Sequence, residues 1–453
     1  MRRLPLVGKL AETFAQTYSL RYIENVRLQL AAVSASMCAA KWLQSTVHLE
    51  IGETHSCHHP VRHRIPLDEL ALTPQALHDT LHKKRERKKM LNGERPAECS
   101  YCWEIEDAPG SPLSDRHYKS AEDWARPRIP ELARMRGDEF VDPTYLELSF
   151  SSNCQLKCSY CSPSVSSALR AEINKFGPYP TGDKFGEYKT DHAVAAPYQA
   201  AFWQWWPELS EKLLVFRVTG GEPLLEEDTF RVMDSFLTTP RPELKFSLNS
   251  NLMISEERFA RFRHSLDRLQ NKNALKEFHL YASIDTWGED AEWIRHGLKV
   301  ETFSRRLEEM LKNNPEVQVT LMVTFSALSI FRFKQLMDYV VWCRQTHPRA
   351  TLRMGVSLLH YPHFMALDIL PKSCAHYLED ILVHHRANSM QVRGASGFSA
   401  AEIARFERIV AWWKERPVAK TQWSELQAFV TEHDRRKGSD FSKAFPRFWQ
   451  ELV

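Results

Sequence analysis

The sequence lacks the long apolar segments and the charge imbalance that mark membrane proteins and nucleic-acid-binding proteins. No run reaches the roughly 18 apolar residues that a membrane-spanning helix needs, and the most apolar stretch, residues 28–37, lies between Arg27 and Lys41. The basic segment 1–9 has an apolar run too short for a signal peptide. A formal net charge of +3 is too small to indicate a nucleic acid or a membrane surface as a partner. We therefore expect a soluble cytoplasmic protein.

Cysteine is also scarce, with nine in 453 residues, and this excludes a disulfide scaffold. Seven of the nine lie between residues 38 and 161 at spacings typical of metal sites. The other two, Cys343 and Cys374, are isolated in segments with a helical pattern, and we expect both to pack as small apolar side chains. Clustered cysteines in a cytosolic protein indicate bound metal.

Three parts of the chain differ in pattern, and we predict domain boundaries after residues 142 and 371. Segment 1–142 has few strand signals and much charge, whereas segment 372–453 has the periodicity of helices. The central part alternates helical patterns with six predicted strands, at 145–150, 213–219, 245–248, 278–284, 318–325 and 352–358. Repeated βα units favour a parallel sheet with right-handed crossovers. Periodicity alone does not choose between a partial barrel and an open doubly wound sheet.

Three cysteines follow the first predicted strand of the central part: Cys154, Cys158 and Cys161. Three thiolates suit a cubane iron-sulfur cluster that keeps one iron free of protein, whereas a structural zinc ion takes four ligands. The spacing, with an aromatic residue, Tyr160, just before the last cysteine, resembles the radical S-adenosylmethionine (SAM) superfamily. Zinc or idle thiols are the alternatives.

The resemblance implies a partial (β/α)6 barrel of the TIM type, in which the open iron binds the amino and carboxylate groups of SAM. An electron from the cluster then cleaves SAM to methionine and a 5'-deoxyadenosyl radical, which abstracts a substrate hydrogen. An electron donor such as flavodoxin or ferredoxin is implied as a partner. The reaction expected is oxidation, crosslinking or rearrangement of a small molecule or peptide.

The segment after the second predicted strand resembles the Gly-Gly-Glu-Pro motif of the superfamily, which binds the methionine amino group of SAM. The next two predicted strands end in polar residues, at the edge where parallel α/β folds bind ligands. The residues predicted to bind the cofactor are Tyr160, Gly220, Gly221, Glu222, Pro223, Asn249, Ser250, Ser283, Asp285 and Arg295. For the residues at the strand ends, capping or turn roles are the alternative, and for Arg295 it is a surface salt bridge.

Four further cysteines, Cys38, Cys57, Cys99 and Cys102, precede the central part, and the last two form a Cys-x-x-Cys pair. Four thiolates close either a zinc site or an iron-sulfur cluster, and the sequence alone separates these poorly. Their order resembles the twitch domain, an auxiliary-cluster module of some radical SAM enzymes, although that domain usually follows the radical domain. The resemblance implies a second, auxiliary cluster here, with His58 and His59 as less favoured substitute ligands.

Two alternatives to a radical enzyme that acts on small molecules or peptides stay open. The first is modification of a nucleotide or nucleic acid by the same chemistry, and the second is a non-catalytic zinc protein. The basic segment 82–89 bears on the first alternative, but Glu86 within it and its helical spacing favour a solvated helix face.

Overall fold

The computed structural model describes residues 19–110, 113–188 and 195–452. Helices dominate the fold, and none within those described ranges is long and apolar enough to cross a bilayer. In chain order the helices are α1 Leu20–Ala31, α2 Ala40–Leu43, α3 Leu67–Leu72, α4 Leu81–Leu91, α5 Ser100–Glu106, α6 Asp115–Ala121, α7 Ile129–Leu132, α8 Ser167–Phe176, α9 Ala195–Lys212, α10 Glu227–Thr238, α11 Glu256–Asn271, α12 Gly288–Ile294, α13 Val300–Asn313, α14 Phe333–Thr346, α15 Ala375–Ala387, α16 Met390–Arg393, α17 Ala400–Glu415, α18 Gln422–Lys437, α19 Phe441–Ala444 and α20 Phe448–Leu452.

Nine strands accompany these helices. They are β1 Gln44–His48, β2 Glu53–His55, β3 His63–Arg64, β4 Tyr145–Ser149, β5 Val215–Thr219, β6 Arg241–Ser250, β7 Leu275–Ser283, β8 Gln318–Phe325 and β9 Thr351–Leu358. All six strands predicted for the central part are therefore confirmed, and β6 is longer than predicted. The three short strands β1 to β3 fall where the sequence shows few strand signals, and we did not predict them.

The chain divides into two compact units. The first comprises residues 1–150, 191–219 and 241–246, and the second comprises residues 151–190, 220–240 and 247–453. The domain boundaries predicted after residues 142 and 371 come from changes in sequence pattern, whereas the two units come from the compactness of the fold. These boundaries stay a prediction.

In the first unit, β1, β2 and β3 pair antiparallel, whereas β1, β4 and β5 pair parallel. An apolar core lies beside these strands, with Trp42, Leu30 and Leu43 fully buried. The parallel pairing agrees with the predicted βα organisation. The antiparallel hairpin of β1 and β2 turns at Gly52, whose φ of 63° suits glycine.

The solvated basic face predicted for residues 82–89 is present on helix α4 at Arg85, Lys88 and Lys89, which are exposed, but the prediction is wrong for two other basic residues. Lys83 and Arg87, four residues apart on this helix, are both 0% exposed. The Nζ atom of Lys83 donates to Ser45 Oγ at 2.9 Å and to Thr54 Oγ1 at 3.0 Å, while Arg87 forms an ion pair with Asp79. These two basic side chains are buried because residues outside the helix supply their hydrogen-bond acceptors. The spacing of residues along the helix does not reveal such acceptors.

In the second unit, β7, β8 and β9 pair parallel in that order. Burial alternates along β9, with Leu352, Met354 and Val356 buried and Arg353 exposed between them. Apolar and polar side chains therefore occupy opposite faces, whereas strands covered on both faces are apolar throughout. The parallel sheet is confirmed, and its closure into a partial barrel stays a prediction.

The helices predicted after residue 372 are present and belong to the second unit. Helix α17 begins with a capping box in which Ser399 and Glu402 satisfy each other's backbone N–H groups. Glu402 also accepts from Met354 N at 2.9 Å and from Arg344 Nη2 at 2.6 Å. The C-terminal extension is thereby joined to strand β9.

Candidate functional site

The second unit contains a loop, residues 151–166, that carries Cys154, Cys158 and Cys161; we name this loop the cysteine loop and the three residues the three-cysteine site. Cys154 and Cys158 are buried, Cys161 is half-buried, and all three pack with Leu156 and Met253. No disulfide joins any of the nine cysteines, all of which lie in described residues. The fold therefore brings the three predicted ligands together as free thiols.

Burial raises the pKa of Cys154 and of Cys161 to about 12, and it also raises the pKa of Cys158. These thiols stay protonated at neutral pH unless a cation replaces the proton. Metal binding supplies such a cation, since it deprotonates its thiol ligands. Three free thiols packed in one loop are a donor set that fits an iron-sulfur cluster.

A pair of glycines holds the cysteine loop from one side. Gly220 has a φ of 110°, a conformation that favours glycine. A Cβ on Gly221 would lie 2.2 Å from Asn153 O, far inside van der Waals contact. Gly221 N donates to Ser151 O at 3.1 Å, and Glu222 N donates to Asn153 O at 2.7 Å. The Gly-Gly turn thus bonds to the backbone immediately before Cys154.

Glu222 is 1% exposed and joins the turn to the end of β6. Its Oε1 accepts from Ser250 Oγ at 2.8 Å, and its Oε2 accepts from Asn251 N at 2.7 Å. Burial raises the pKa of Glu222 to about 7, and the hydrogen bonds from Asn251 and Ser250 offset part of that rise. Pro223 begins the short helical turn that follows and is buried. The predicted role of this motif in binding SAM stays a prediction.

Tyr160, Asp285 and Arg295 form one buried network. The carboxylate of Asp285 accepts from Tyr160 OH at 2.7 Å, from Arg295 Nε at 2.8 Å and Nη2 at 3.0 Å, and from Thr324 N at 2.8 Å. Asp285 is 0% exposed and Arg295 is 8% exposed, so the alternative of a surface salt bridge for Arg295 is wrong. Arg295 Nη1 lies 4.0 Å from Cys158 Sγ. The network places a positive charge beside the three-cysteine site.

Sequence reasoning missed Asn251. Its Nδ2 lies 3.8 Å from Cys154 Sγ, while its Oδ1 accepts from Gln155 Nε2 at 3.0 Å and from Met253 N at 2.7 Å. The signal available was its place in the polar end of β6, beside the predicted Asn249 and Ser250. Asn249 is half-buried near the end of that strand, whereas the Ser250 side chain points to Glu222.

Ser283 is the last residue of β7 and is half-buried. It lies two residues before Asp285 in the chain. Its predicted contact with SAM stays a prediction.

Helices α12 and α18 hold the other sides of the cysteine loop. Ile294 O, at the end of α12, accepts from Ser159 N at 2.7 Å. Two residues later, His296 O accepts from Lys157 N at 2.9 Å. Lys437, the last residue of α18, donates from Nζ to Lys157 O at 2.9 Å. The loop is thus fixed by backbone bonds on each side of Cys158.

The first unit contains a second group, Cys38, Cys57, Cys99 and Cys102, which we name the four-cysteine site. All four line one cavity. Burial raises the pKa of Cys38 and of Cys102, and it raises the pKa of Cys99 to about 12. His59 lines the same cavity, and its Nε2 lies 2.6 Å from Asp115 Oδ2. The Nε2 atom of His58 lies 3.3 Å from the Nε2 atom of Gln44.

Within the described ranges, no three or more His, Cys, Asp or Glu side chains converge as the ligands of a single metal ion do. In an iron-sulfur cluster each cysteine binds a different iron, so its thiolates lie farther apart than the ligands of one ion.

Comparison with known proteins gives only distant likenesses. No protein-family model and no curated protein matches the chain. Three crystal structures of SuiB from Streptococcus suis are similar at low level. The structure bound to the precursor peptide SuiA has a TM-score of 0.37 and 11% identity over 79% of this chain and 71% of that one.

The structure of SuiB bound to S-adenosylmethionine has a TM-score of 0.38 and 12% identity, with the same coverage of both chains. The third SuiB structure has a TM-score of 0.38 and 11% identity over 79% of this chain and 70% of that one. Likeness at this level does not establish a shared activity.

Proposed function

We propose that this chain is a radical SAM enzyme that abstracts a hydrogen atom from a small molecule or a peptide. The observation that carries the proposal is the three-cysteine site, in which three free thiols of one loop pack together between a Gly-Gly turn and a buried arginine. A bound 4Fe-4S cluster would supply the electron that cleaves SAM to methionine and a 5'-deoxyadenosyl radical. The resemblance of the motifs, rather than the distant structural likeness, is the reason for naming this chemistry.

The residues of the chain have separate tasks in this proposal. Cys154, Cys158 and Cys161 hold the cluster, and the turn at Gly220 and Gly221 keeps the cysteine loop in place. Because Gly221 carries no Cβ, its backbone lies close enough to the cysteine loop to bond to it. The predicted SAM ligands at the strand ends, Asn249 and Ser283 among them, complete the proposed cofactor site.

Asp285 and Arg295 act through the cysteine loop. Their ion pair is excluded from water, so Arg295, whose Nη1 lies 4.0 Å from Cys158 Sγ, favours the thiolate of Cys158, while the paired Asp285 offsets part of this effect. A fixed cation favours the thiolate over the thiol and favours an anionic cluster. This explains why a buried charge is kept in a place where burial alone is unfavourable.

For the four-cysteine site we propose an auxiliary iron-sulfur cluster, as in the twitch domain. Four free thiols around one cavity support a metal-bound state, because four thiolates are the donor set of a closed zinc or iron-sulfur site. If all four bind, no iron is left open for the substrate. An electron-carrying role is then the one that suits the site, with flavodoxin or ferredoxin as the external donor to the enzyme.

Anaerobic reconstitution tests both sites. We expect about eight irons per chain, and reductive formation of 5'-deoxyadenosine from SAM. Cys158→Ala should lose the iron of the three-cysteine site, about half of the total, together with all SAM cleavage. Cys99→Ala should lose the other half of the total iron, which belongs to the four-cysteine site. Cys374→Ala is the matched control: Cys374 is a fully buried cysteine outside both sites, and its loss should leave the iron content unchanged.

The alternatives predict different outcomes. A colourless protein that retains zinc after purification would refute the enzyme and favour a zinc protein. Cleavage of SAM by Cys158→Ala would refute the assignment of the three-cysteine site. Steeply salt-dependent binding of RNA or DNA would favour a nucleic acid as the substrate.

A further inference from the structure

The cavity of the four-cysteine site contains a buried lysine whose ammonium group has no acceptor among the residues that the structure describes. Lys119 lies on α6 with 2% of its surface exposed, and it lines this cavity. Within the described residues, its Nζ has no hydrogen-bond partner. An ammonium group buried without a partner is strongly unfavourable, and native proteins neutralise such groups by pairing. The cavity is therefore expected to hold a negative charge.

Two other cations line the cavity, but protein groups already pair with them. Lys41 forms an ion pair with Glu98, although its Nζ also lies 3.9 Å from Cys99 Sγ. Arg116 donates to Glu106 Oε1 at 2.6 Å and to the carbonyl of Met37 at 2.7 Å. Among these three cations, Lys119 is thus the one whose charge has no partner within the described part of the chain.

The acidic side chain that lines the cavity has a partner as well. Asp115 Oδ2 lies 2.6 Å from His59 Nε2, one turn before Lys119 on the same helix. The negative charge that remains available is that of the four thiols once a metal has displaced their protons. The buried ammonium and the thiols are therefore complementary, because each is unfavourable alone and each offsets the other.

We propose that Lys119 stabilises the reduced state of the iron-sulfur cluster at the four-cysteine site and so raises its midpoint potential. The inference rests on the proposed auxiliary cluster. Reduction adds one electron to the cluster, which makes it one unit more negative without any bond or proton change. A cation held beside it and shielded from water favours that state, since net charge and exclusion of solvent set the potential of such clusters. Lys119 is thus a positioning residue, and its charge makes the four-cysteine site a better electron acceptor.

The test is a redox titration of the four-cysteine site alone. All three cysteines of the three-cysteine site are replaced by alanine, the full chain is reconstituted anaerobically, and dithionite reduction is followed by electron paramagnetic resonance. We expect Lys119→Met to shift the midpoint potential to a more negative value at unchanged iron content. Lys119→Arg keeps the charge and should keep the potential near that of the parent protein. Lys119→Gln provides a second neutral variant with a polar end.

Lys83→Met controls for the loss of a buried lysine side chain as such, because Lys83 is also a fully buried lysine of the first unit that does not line the cavity, and burial lowers its pKa well below the usual range. An unchanged potential in both neutral variants at full iron content would overturn the role of Lys119. An equal shift in Lys83→Met would overturn it too, since any buried lysine would then have the same effect. If the parent protein holds zinc or no iron at this site, the auxiliary cluster itself is refuted, and the inference with it.

Discussion

The buried pair of Asp285 and Arg295 allows a quantitative prediction about the candidate site. Asp285→Asn leaves Arg295, which is 8% exposed, without its counter-charge, and Arg295→Met leaves the fully buried carboxylate with only Tyr160 and Thr324 as donors. Removing one partner of a buried pair typically costs about 3–5 kcal/mol of unfolding free energy. We expect each single variant to lose an amount in this range.

The double variant should lose no more than the worse single variant, because neither charge is then left alone. The coupling energy in the double-mutant cycle is thus at least about 3 kcal/mol, the smaller of the two single losses. The measurement is urea unfolding of the metal-free, reduced protein, followed by circular dichroism.

A matched control pair is Lys414 and Glu379, whose Nζ and Oε1 atoms are 2.8 Å apart but whose side chains are 51% and 53% exposed. For this pair we expect a coupling energy below about 1 kcal/mol. Additive losses at Asp285 and Arg295, within about 0.5 kcal/mol, would refute the reasoning that these two charges depend on each other.

Further predictions concern the glycine turn and a buried histidine. Gly221→Ala should abolish iron binding at the three-cysteine site, because its Cβ would overlap Asn153 O, whereas Gly182→Ala, which meets only the flexible end of Glu425 at 3.2 Å, should retain the iron. His385 is 0% exposed, both of its ring nitrogens are unpaired within the described residues, and burial lowers its pKa to about 4. Because the unfolded state binds the proton first as pH falls below 6.5, wild-type stability should fall by about 2 kcal/mol between pH 6.5 and 5 through this residue. His385→Phe should therefore gain stability over wild type as pH falls; an advantage in thermal melts that stays constant with pH would contradict this.

Much of the candidate site was predictable from local sequence. The spacing of Cys154, Cys158 and Cys161 is a property of one short segment, and a segment of eight residues keeps its ligands close in any fold that leaves it a loop. The six strands of the central part were predictable for a similar reason, since alternation and β-branched residues act within each strand. The need for glycine at 220 and 221 was also visible at the level of the motif.

Other features depended on segments far apart in the chain. Asn251 contacts Cys154, which is 97 positions away in the chain, and its neighbour Ser250 donates to Glu222. Adjacent residues at the end of one strand therefore contact the cysteine loop and the Gly-Gly-Glu-Pro segment. Neither contact has a local signal, because polar residues at strand ends are common. Arg295 was expected to bind SAM or to form a surface salt bridge; the fold buries it against Asp285, which excludes the surface alternative and leaves its role toward SAM a prediction.

The basic helix α4 shows the same limit of sequence reasoning. Charge and helical spacing predicted a solvated face, and exposed basic residues do form one, but hydroxyl and carboxylate groups from elsewhere in the chain make burial of Lys83 and Arg87 favourable.

The sequence by itself determined which residues are the candidate thiol ligands, because thiol groups and their spacing are local chemistry. Tertiary structure alone decided the environment of those ligands: which thiols are buried, that Arg295 lies beside Cys158, and that Lys119 lies in the cavity of the other four cysteines. Burial and long-range pairing decide the electrostatics of a site, and both arise only when distant segments pack together.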